Sequence, residues 1–176
     1  CRLLDRLGHR GRGGMGVVRT AFDSSLRREV AYKVMLPKHA STFARQRFVH
    51  EAQVTSQLEH PNIIPVHEIG RNEDGEPYFT MKRVRGLTLK DRLEAALQAA
   101  TESADPWAAF PLIERIEVLR RVLDAMGYAH EHGVIHRDLK PDNIMAGRHG
   151  EVLVMDWGLS RFIGREEDGA DSVIVA

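Results

Sequence analysis

Over the first 36 residues the apolar positions follow the spacing of extended chain. Residues 3–8 read as a short strand, a glycine cluster occupies 11–16, and Val17 and Val18 open a second strand. From Glu29 to Leu36, Val30, Tyr32 and Val34 alternate with Ala31, Lys33 and Met35, so a third strand buried on both faces is expected. The period then lengthens. Phe43, Arg47, His50 or Glu51, Val54 and Leu58 recur at helical spacing over 41–58, with Ser41 as N-cap and His60-Pro61-Asn62 as the stop. Two more strands are expected near 63–69 and 77–84, around the polar turn from Arg71 to Gly75. Helical spacing returns at 88–99, and a loop with Pro106 and Pro111 follows. Leu112, Ile116, Leu119, Leu123 and Met126 then form the stripe of a well-buried helix. Beyond it the pattern predicts a loop at 133–142 and strands near 143–146 and 151–155. The chain thus reads as a β-rich region with one helix, then a helical region beginning after about residue 86, without internal repeats.

Composition changes this picture little. At 176 residues, 43% hydrophobic and 28% charged, the chain has the make-up of ordinary globular protein. It contains no apolar run of membrane-spanning length and no opening that resembles a signal peptide. The single cysteine, Cys1, cannot form an internal disulfide, which fits a reducing compartment, and the absence of Met at position 1 suggests a fragment. Charge is more informative. Residues 1–50 hold 11 Lys/Arg against 3 Asp/Glu, a net of +8, and residues 51–176 hold 14 against 22, a net of −8. With no aromatic interleaving or DNA-binding motif beside the basic stretch, a polyphosphate ligand is expected rather than nucleic acid.

Four constellations carry candidate chemistry. In Gly11-x-Gly13-x-x-Gly16-x-Val18, glycines let backbone N–H groups approach phosphate oxygens. A dinucleotide-binding turn would need a helix next, whereas Val17, Val18, Thr20 and Phe22 continue as a strand. Lys33 lies inside the apolar strand Val30-Ala31-Tyr32-Lys33, where an ammonium is costly without a partner. Glu51 is available on the following helix, 18 residues on; Glu59 is less well placed. The octet His136-Arg137-Asp138-Leu139-Lys140-Pro141-Asp142-Asn143 is the most specific, placing a carboxylate, an ammonium and an amide on one loop. Asp138 could orient or accept a hydroxyl proton, Lys140 could neutralise a phosphoryl group, and Asn143 could ligate a hard metal. Asp156-Trp157-Gly158 follows the apolar strand Val152-Leu153-Val154-Met155, and beside Asn143 its carboxylate completes a metal pair. His130, His132 and His136 lie close in sequence, but with no Cys or fourth ligand nearby zinc is not favoured.

In this order the four blocks resemble the Hanks-type protein kinases, specifically the eukaryotic-like serine/threonine kinases of bacteria, over nearly the whole chain. The resemblance implies an α+β, bilobal fold: a five-stranded N-lobe with helix C over residues 1–86, the hinge at about 81–86, and part of a helical C-lobe over 87–176. It implies that the backbone of Gly11, Arg12, Gly13, Gly14, Met15 and Gly16 covers the ATP phosphates and that Lys33 binds them while paired to Glu51. Asp138 becomes the catalytic base, Lys140 sits beside the γ-phosphate as in Ser/Thr rather than Tyr kinases, and Asn143 and Asp156 hold Mg²⁺, with Mn²⁺ as the alternative ion. Met81 becomes the gatekeeper, the main chain of Lys82 and Val84 meets adenine, and Val18, Ala31 and Met145 sandwich its ring. His60-Pro61-Asn62-Ile63 matches a structural signature of the family.

Some positions depart from the pattern. Trp157 replaces the usual Phe, Thr55 stands where an apolar residue normally packs, and Lys82-Arg83 make the hinge unusually basic. None of these removes a catalytic group. Only 18 residues follow Gly158 and no Ala-Pro-Glu appears, so the chain is expected to be a fragment, inactive and aggregation-prone alone, with Ser172 as the one phosphosite candidate present. The implied function is ATP-dependent phosphoryl transfer to Ser/Thr hydroxyls of proteins, in the cytoplasm, with any membrane tether lying downstream. The rival readings are a pseudokinase scaffold, which would not need Lys33, Glu51, Asp138, Asn143 and Asp156 together, and a small-molecule phosphotransferase.

Overall fold

The computed structural model describes residues 3–12, 16–36, 41–101, 108–147 and 149–163, with the side chains of 3–12 left aside. Cys1, Gly13, Gly14, Met15, Pro106 and Ser172, all singled out in the sequence, fall outside this set. The described residues divide into two compact units that are not consecutive blocks. The first comprises Cys1–Glu59, Ile64–Val84 and Trp157–Leu159; the second comprises His60–Ile63, Arg85–Asp156 and Ser160–Ala176.

The first unit is built on an antiparallel sheet of β1 (Leu3–Arg12), β2 (Gly16–Asp23), β3 (Arg28–Met35), β4 (Val66–Arg71) and β5 (Pro77–Lys82), in the order β1-β2-β3-β5-β4. Alternation in β3 assigns its two faces. Val30, Tyr32 and Val34 pack with Ala21 and Tyr78 on one side, where the rings of Tyr32 and Tyr78 lie 4.9 Å apart. Met35 packs on the other side with Phe79 and with Phe48 and Ala52 of helix α1 (Thr42–Gln57). Both faces are therefore apolar, which is why the strand has no polar alternation. Ser41 caps α1 by accepting the Ala44 N–H at 3.2 Å.

Helix α1 lies where its period placed it; the face that enters the core is Phe48, Glu51, Ala52, Val54 and Thr55, while Phe43 stays 68% exposed. One expectation needs correction here. The strand expected near 63–69 begins only at Val66; Ile63 instead bridges Val154, so the chain around it belongs to the second unit.

The second unit holds β6 (Gly86–Thr88), α2 (Leu89–Ala100), α3 (Leu112–Glu131), β7 (Val134–Ile135), β8 (Ile144–Gly147), β9 (Val152–Val154) and β10 (Arg161–Phe162). Strands β6-β8-β9 form one small sheet and β10-β7 another. Thr88 and Asp91 close a reciprocal capping box at the start of α2. Asn62 ties the unit's first residues to the small sheet: its Nδ2 donates to the Val152 carbonyl at 2.8 Å and its carbonyl accepts the Val154 N–H at 2.8 Å.

The apolar stripe of α3, expected to be buried only where its packing partners are present, is largely exposed among the described residues. Leu112, Ile116, Leu119 and Leu123 are 62%, 51%, 58% and 59% exposed, and only Met126 of that series is buried. Val118, Val122, Ala125 and Ala129 face β7 and β9. Two adjacent stripes satisfy the same 3.6-residue period, and the one with smaller side chains lets the helix approach the strands closely.

Candidate active site

In the first unit, Lys33 sits mid-strand in β3 and Glu51 mid-helix in α1, and their side chains meet at 2.5 Å. Both are buried, at 8% and 4% exposure. The ammonium also lies 5.5 Å from the Phe79 ring centroid and 6.0 Å from that of Phe48. An ammonium in such apolar surroundings requires its counterion, because removing one partner leaves an uncompensated charge in the interior. Thr55, one turn after Glu51, turns its hydroxyl back to the Glu51 carbonyl at 2.6 Å, so it is satisfied within its own helix.

The positions of this unit that were expected to face a nucleotide are set by strand register. Gly11 and Arg12 at the end of β1 face Val18 and Val17, and Val18 in turn faces Lys33. Gly16 opens β2 against Met35; a Cβ there would come within 2.6 Å of the Val34 carbonyl oxygen, so no other residue fits without moving backbone. Ala31 lies opposite Thr20 and Met81, and Met81 packs beside the Met35 and Phe79 cluster. Lys82 donates its backbone N–H to the Pro65 carbonyl at 3.0 Å, and Val84 is buried. Arg83 forms an ion pair with Glu29, so this basic side chain has a local structural use.

The second unit carries the loop chemistry. Asp138 Oδ2 accepts from Lys140 Nζ at 2.7 Å and from Asn143 Nδ2 at 3.1 Å, and the same amide group donates to the Asp138 carbonyl at 2.9 Å. These two bonds fix the Asn143 amide orientation, leaving its oxygen as the end turned away from Asp138. The Lys140 ammonium, followed by burial acting in the opposite sense, holds the Asp138 carboxyl below its usual range; Asp138 in return raises Lys140. At neutral pH the two are an ion pair.

His136 supports this loop from beneath. It is 1% exposed; its Nε2–H donates to the Met155 carbonyl at 3.0 Å and its Nδ1 accepts the Asp138 N–H at 3.2 Å. Both bonds suit the neutral ring, and burial pushes its pKa down, outweighing the opposing pull of the Met155 hydrogen bond and of Asp156 and Asp138. Met155 is held a second time, donating its N–H to the Asn143 carbonyl at 2.8 Å. Asp156 follows directly, with φ of 61°, and Arg137 has φ of 63°. Left-handed backbone at two non-glycine residues beside the candidate groups is the kind of strain that functional sites retain. Met145, on β8, pairs with Thr88 and Leu153.

The oxygens of Asn143 and Asp156 suit a hard cation. Among the described residues no group of three His, Cys, Asp or Glu could hold a metal alone. Two oxygen donors of this kind match the chemistry of a cation that takes one or two side chains and fills its remaining positions from elsewhere. The bonds of two residues escaped sequence reasoning. Asn62 showed as part of a helix stop and of a structural signature, without its bond to Val152, and Arg47 showed only as one position of the α1 period. The spacing of Arg47 one turn before Glu51 is the signal that could have found it.

Comparison with known proteins shows the family. The family model described as "Protein kinase domain" matches residues 4–175. Similar proteins include the serine/threonine-protein kinase PknD of Protochlamydia amoebophila, 40% identical over 162 residues, covering 90% of this chain and 16% of that protein. PknD of Chlamydia pneumoniae is 35% identical over 162 residues, covering 92% and 17%, and PknD of Chlamydia trachomatis serovar D is 38% identical over 154 residues, covering 86% and 16%. The chain belongs to the protein kinase domain family, with the α+β make-up of an antiparallel sheet followed by helices. It spans 16–17% of the length of these relatives. No helix among the described residues is long and apolar enough to cross a membrane.

Proposed function

We propose that this chain carries out ATP- and Mg²⁺-dependent phosphoryl transfer to Ser or Thr hydroxyls of protein substrates. The observation that carries the proposal is the loop on which Lys140 and Asn143 both donate to the Asp138 carboxylate, at 2.7 Å and 3.1 Å. Asp138 receives the substrate hydroxyl proton as that oxygen bonds to the γ-phosphorus, and the bond from γ-phosphorus to the β-phosphate bridging oxygen breaks to release ADP. Lys140 offsets the charge of the transferring group. Lys33, held by Glu51, orients the α/β-phosphates, and the backbone of Gly11 to Gly16 covers them. Met81, Lys82, Val84, Val18, Ala31 and Met145 form the adenine site. Asn143 and Asp156 would hold Mg²⁺, which supplies charge neutralisation at the phosphates when bound. In this reading residues 1–86 act as the nucleotide-binding lobe and 87–176 as part of the catalytic lobe.

The test compares the whole protein with its Asp138→Asn variant. Phosphorylation of a protein substrate should fall by about 10²–10⁴-fold while MgATP affinity is kept. Unchanged phosphorylation would remove Asp138 from the role given it, and a wild-type protein that binds MgATP but transfers nothing would favour a scaffold.

A further inference from the structure

Helix α1 makes a second polar attachment besides Glu51. One turn earlier, Arg47 donates from Nε to the main-chain carbonyl of Gly158 at 3.2 Å. The two positions are four residues apart, so they share a face of the helix. Phe43, four residues before Arg47, lies beneath the guanidinium with 5.7 Å between its ring centroid and Cζ, which limits where the guanidinium can point.

The attached segment is short and tightly held. Trp157 is fully buried and Gly158 is buried beside it. A carbonyl in such surroundings needs a donor, and a charged donor makes the stronger bond. Trp157–Leu159 is the piece of chain that joins the first unit directly after Asp156, whose left-handed backbone persists only if the residues around it fix it.

We infer that Arg47 is a positioning residue for the metal site: it clamps the peptide after Trp157 onto the helix that holds Glu51, and so fixes the backbone from which Asp156 offers its carboxylate. The inference rests on the reading of Asp156 as a metal ligand. Its consequence is specific. Loss of the donor leaves the ligand in place but lets its backbone relax, so Mg²⁺ dependence shifts while the rate at saturating Mg²⁺ largely recovers.

The experiment is a Mg²⁺ titration of protein phosphorylation at saturating ATP, in the whole protein, with thermal unfolding measured alongside. Arg47→Met, which keeps the aliphatic stem, should raise the half-maximal Mg²⁺ concentration by about tenfold, as expected for one lost hydrogen bond to a charged group. Arg47→Lys, which retains a donor, should raise it less. Phe43→Ala, which alters an exposed ring, should shift it in the same direction and keeps the test open should Met at 47 prevent folding. Arg45→Met is the structural control: it removes the 2.9 Å pair with Glu76 from the same helix, and should lower the unfolding temperature without moving the Mg²⁺ midpoint. A midpoint unmoved in both Arg47→Met and Phe43→Ala, or moved equally by Arg45→Met, overturns the inference. A wild-type protein without Mg²⁺-dependent phosphorylation fails the kinase reading itself, and the inference falls with it.

Discussion

Lys33 and Glu51 stand 18 residues apart, on a strand and a helix, and meet in a buried pair at 2.5 Å. Asp138, Lys140 and Asn143 stand within six residues, on a loop whose Lys140 and Asp138 side chains are 47% and 27% exposed. The first arrangement exists only if the sheet and α1 pack correctly. The second is held by short-range bonds and by His136 beneath it. A buried ion pair couples chemistry to stability, because each charge depends on the other for its place in the interior. A solvent-facing pair is screened and contributes little to folding. One unit should therefore lose stability and function together, and the other should lose function alone.

The sharpest way to break this contrast is at Asp138. Asp138→Asn should cost about 10²–10⁴-fold in phosphorylation rate, with the unfolding transition nearly unchanged; a large drop in unfolding midpoint would show that the loop is structural after all. Next in size is the buried pair. Lys33→Met or Glu51→Leu alone should destabilise the protein by about 3–5 kcal/mol, and the double substitution by much less than the sum, since no orphan charge remains. Denaturant unfolding of the four proteins measures this coupling, and additive losses would mean the pair is not the interior contact described. Nucleotide binding, read as a MgATP-induced thermal shift, should weaken in all three variants.

A smaller effect concerns pH. Because burial lowers the His136 pKa below the ordinary value of 6.5, the folded state binds fewer protons than the unfolded state between the lowered value and 6.5. Stability should thus fall as pH drops through 6.5 and level off below the folded-state value. Denaturant midpoints from about pH 7.5 to about pH 5.5 should show a slope that shrinks in His136→Asn; an equal slope would place the titration elsewhere. The smallest change is at the helix cap. Ser41→Ala should cost about 1 kcal/mol by freeing the Ala44 N–H, without altering transfer at saturating MgATP. Urea unfolding measures the first part and steady-state rates the second.

Much of this molecule was readable from residue order. The alternation in β3, the Ser41 cap and the loop of Asp138 to Asn143 are local signals, each set by the geometry of neighbouring residues. What could not be read is consistently non-local. Strands β6, β7 and β10 have two or three residues, too few to show a period. Which side of α3 is buried among the described residues was set by its packing on β7 and β9, and Ile63 joined Val154 rather than β4. Arg47 was legible only as a position on the α1 face that carries Glu51; its partner, Gly158, lies 111 residues away.

Sequence alone, then, determined which chemical groups the chain possesses and which short segments present them, because backbone preference and side-chain period act over a few residues. Tertiary structure alone decided that His136 underpins Asp138 and that α1 reaches Gly158, and it realised the Lys33–Glu51 pair that the sequence had offered. Those pairings follow from burial, where an ammonium, an imidazole or a carbonyl removed from water must take whatever partner the packing brings within reach.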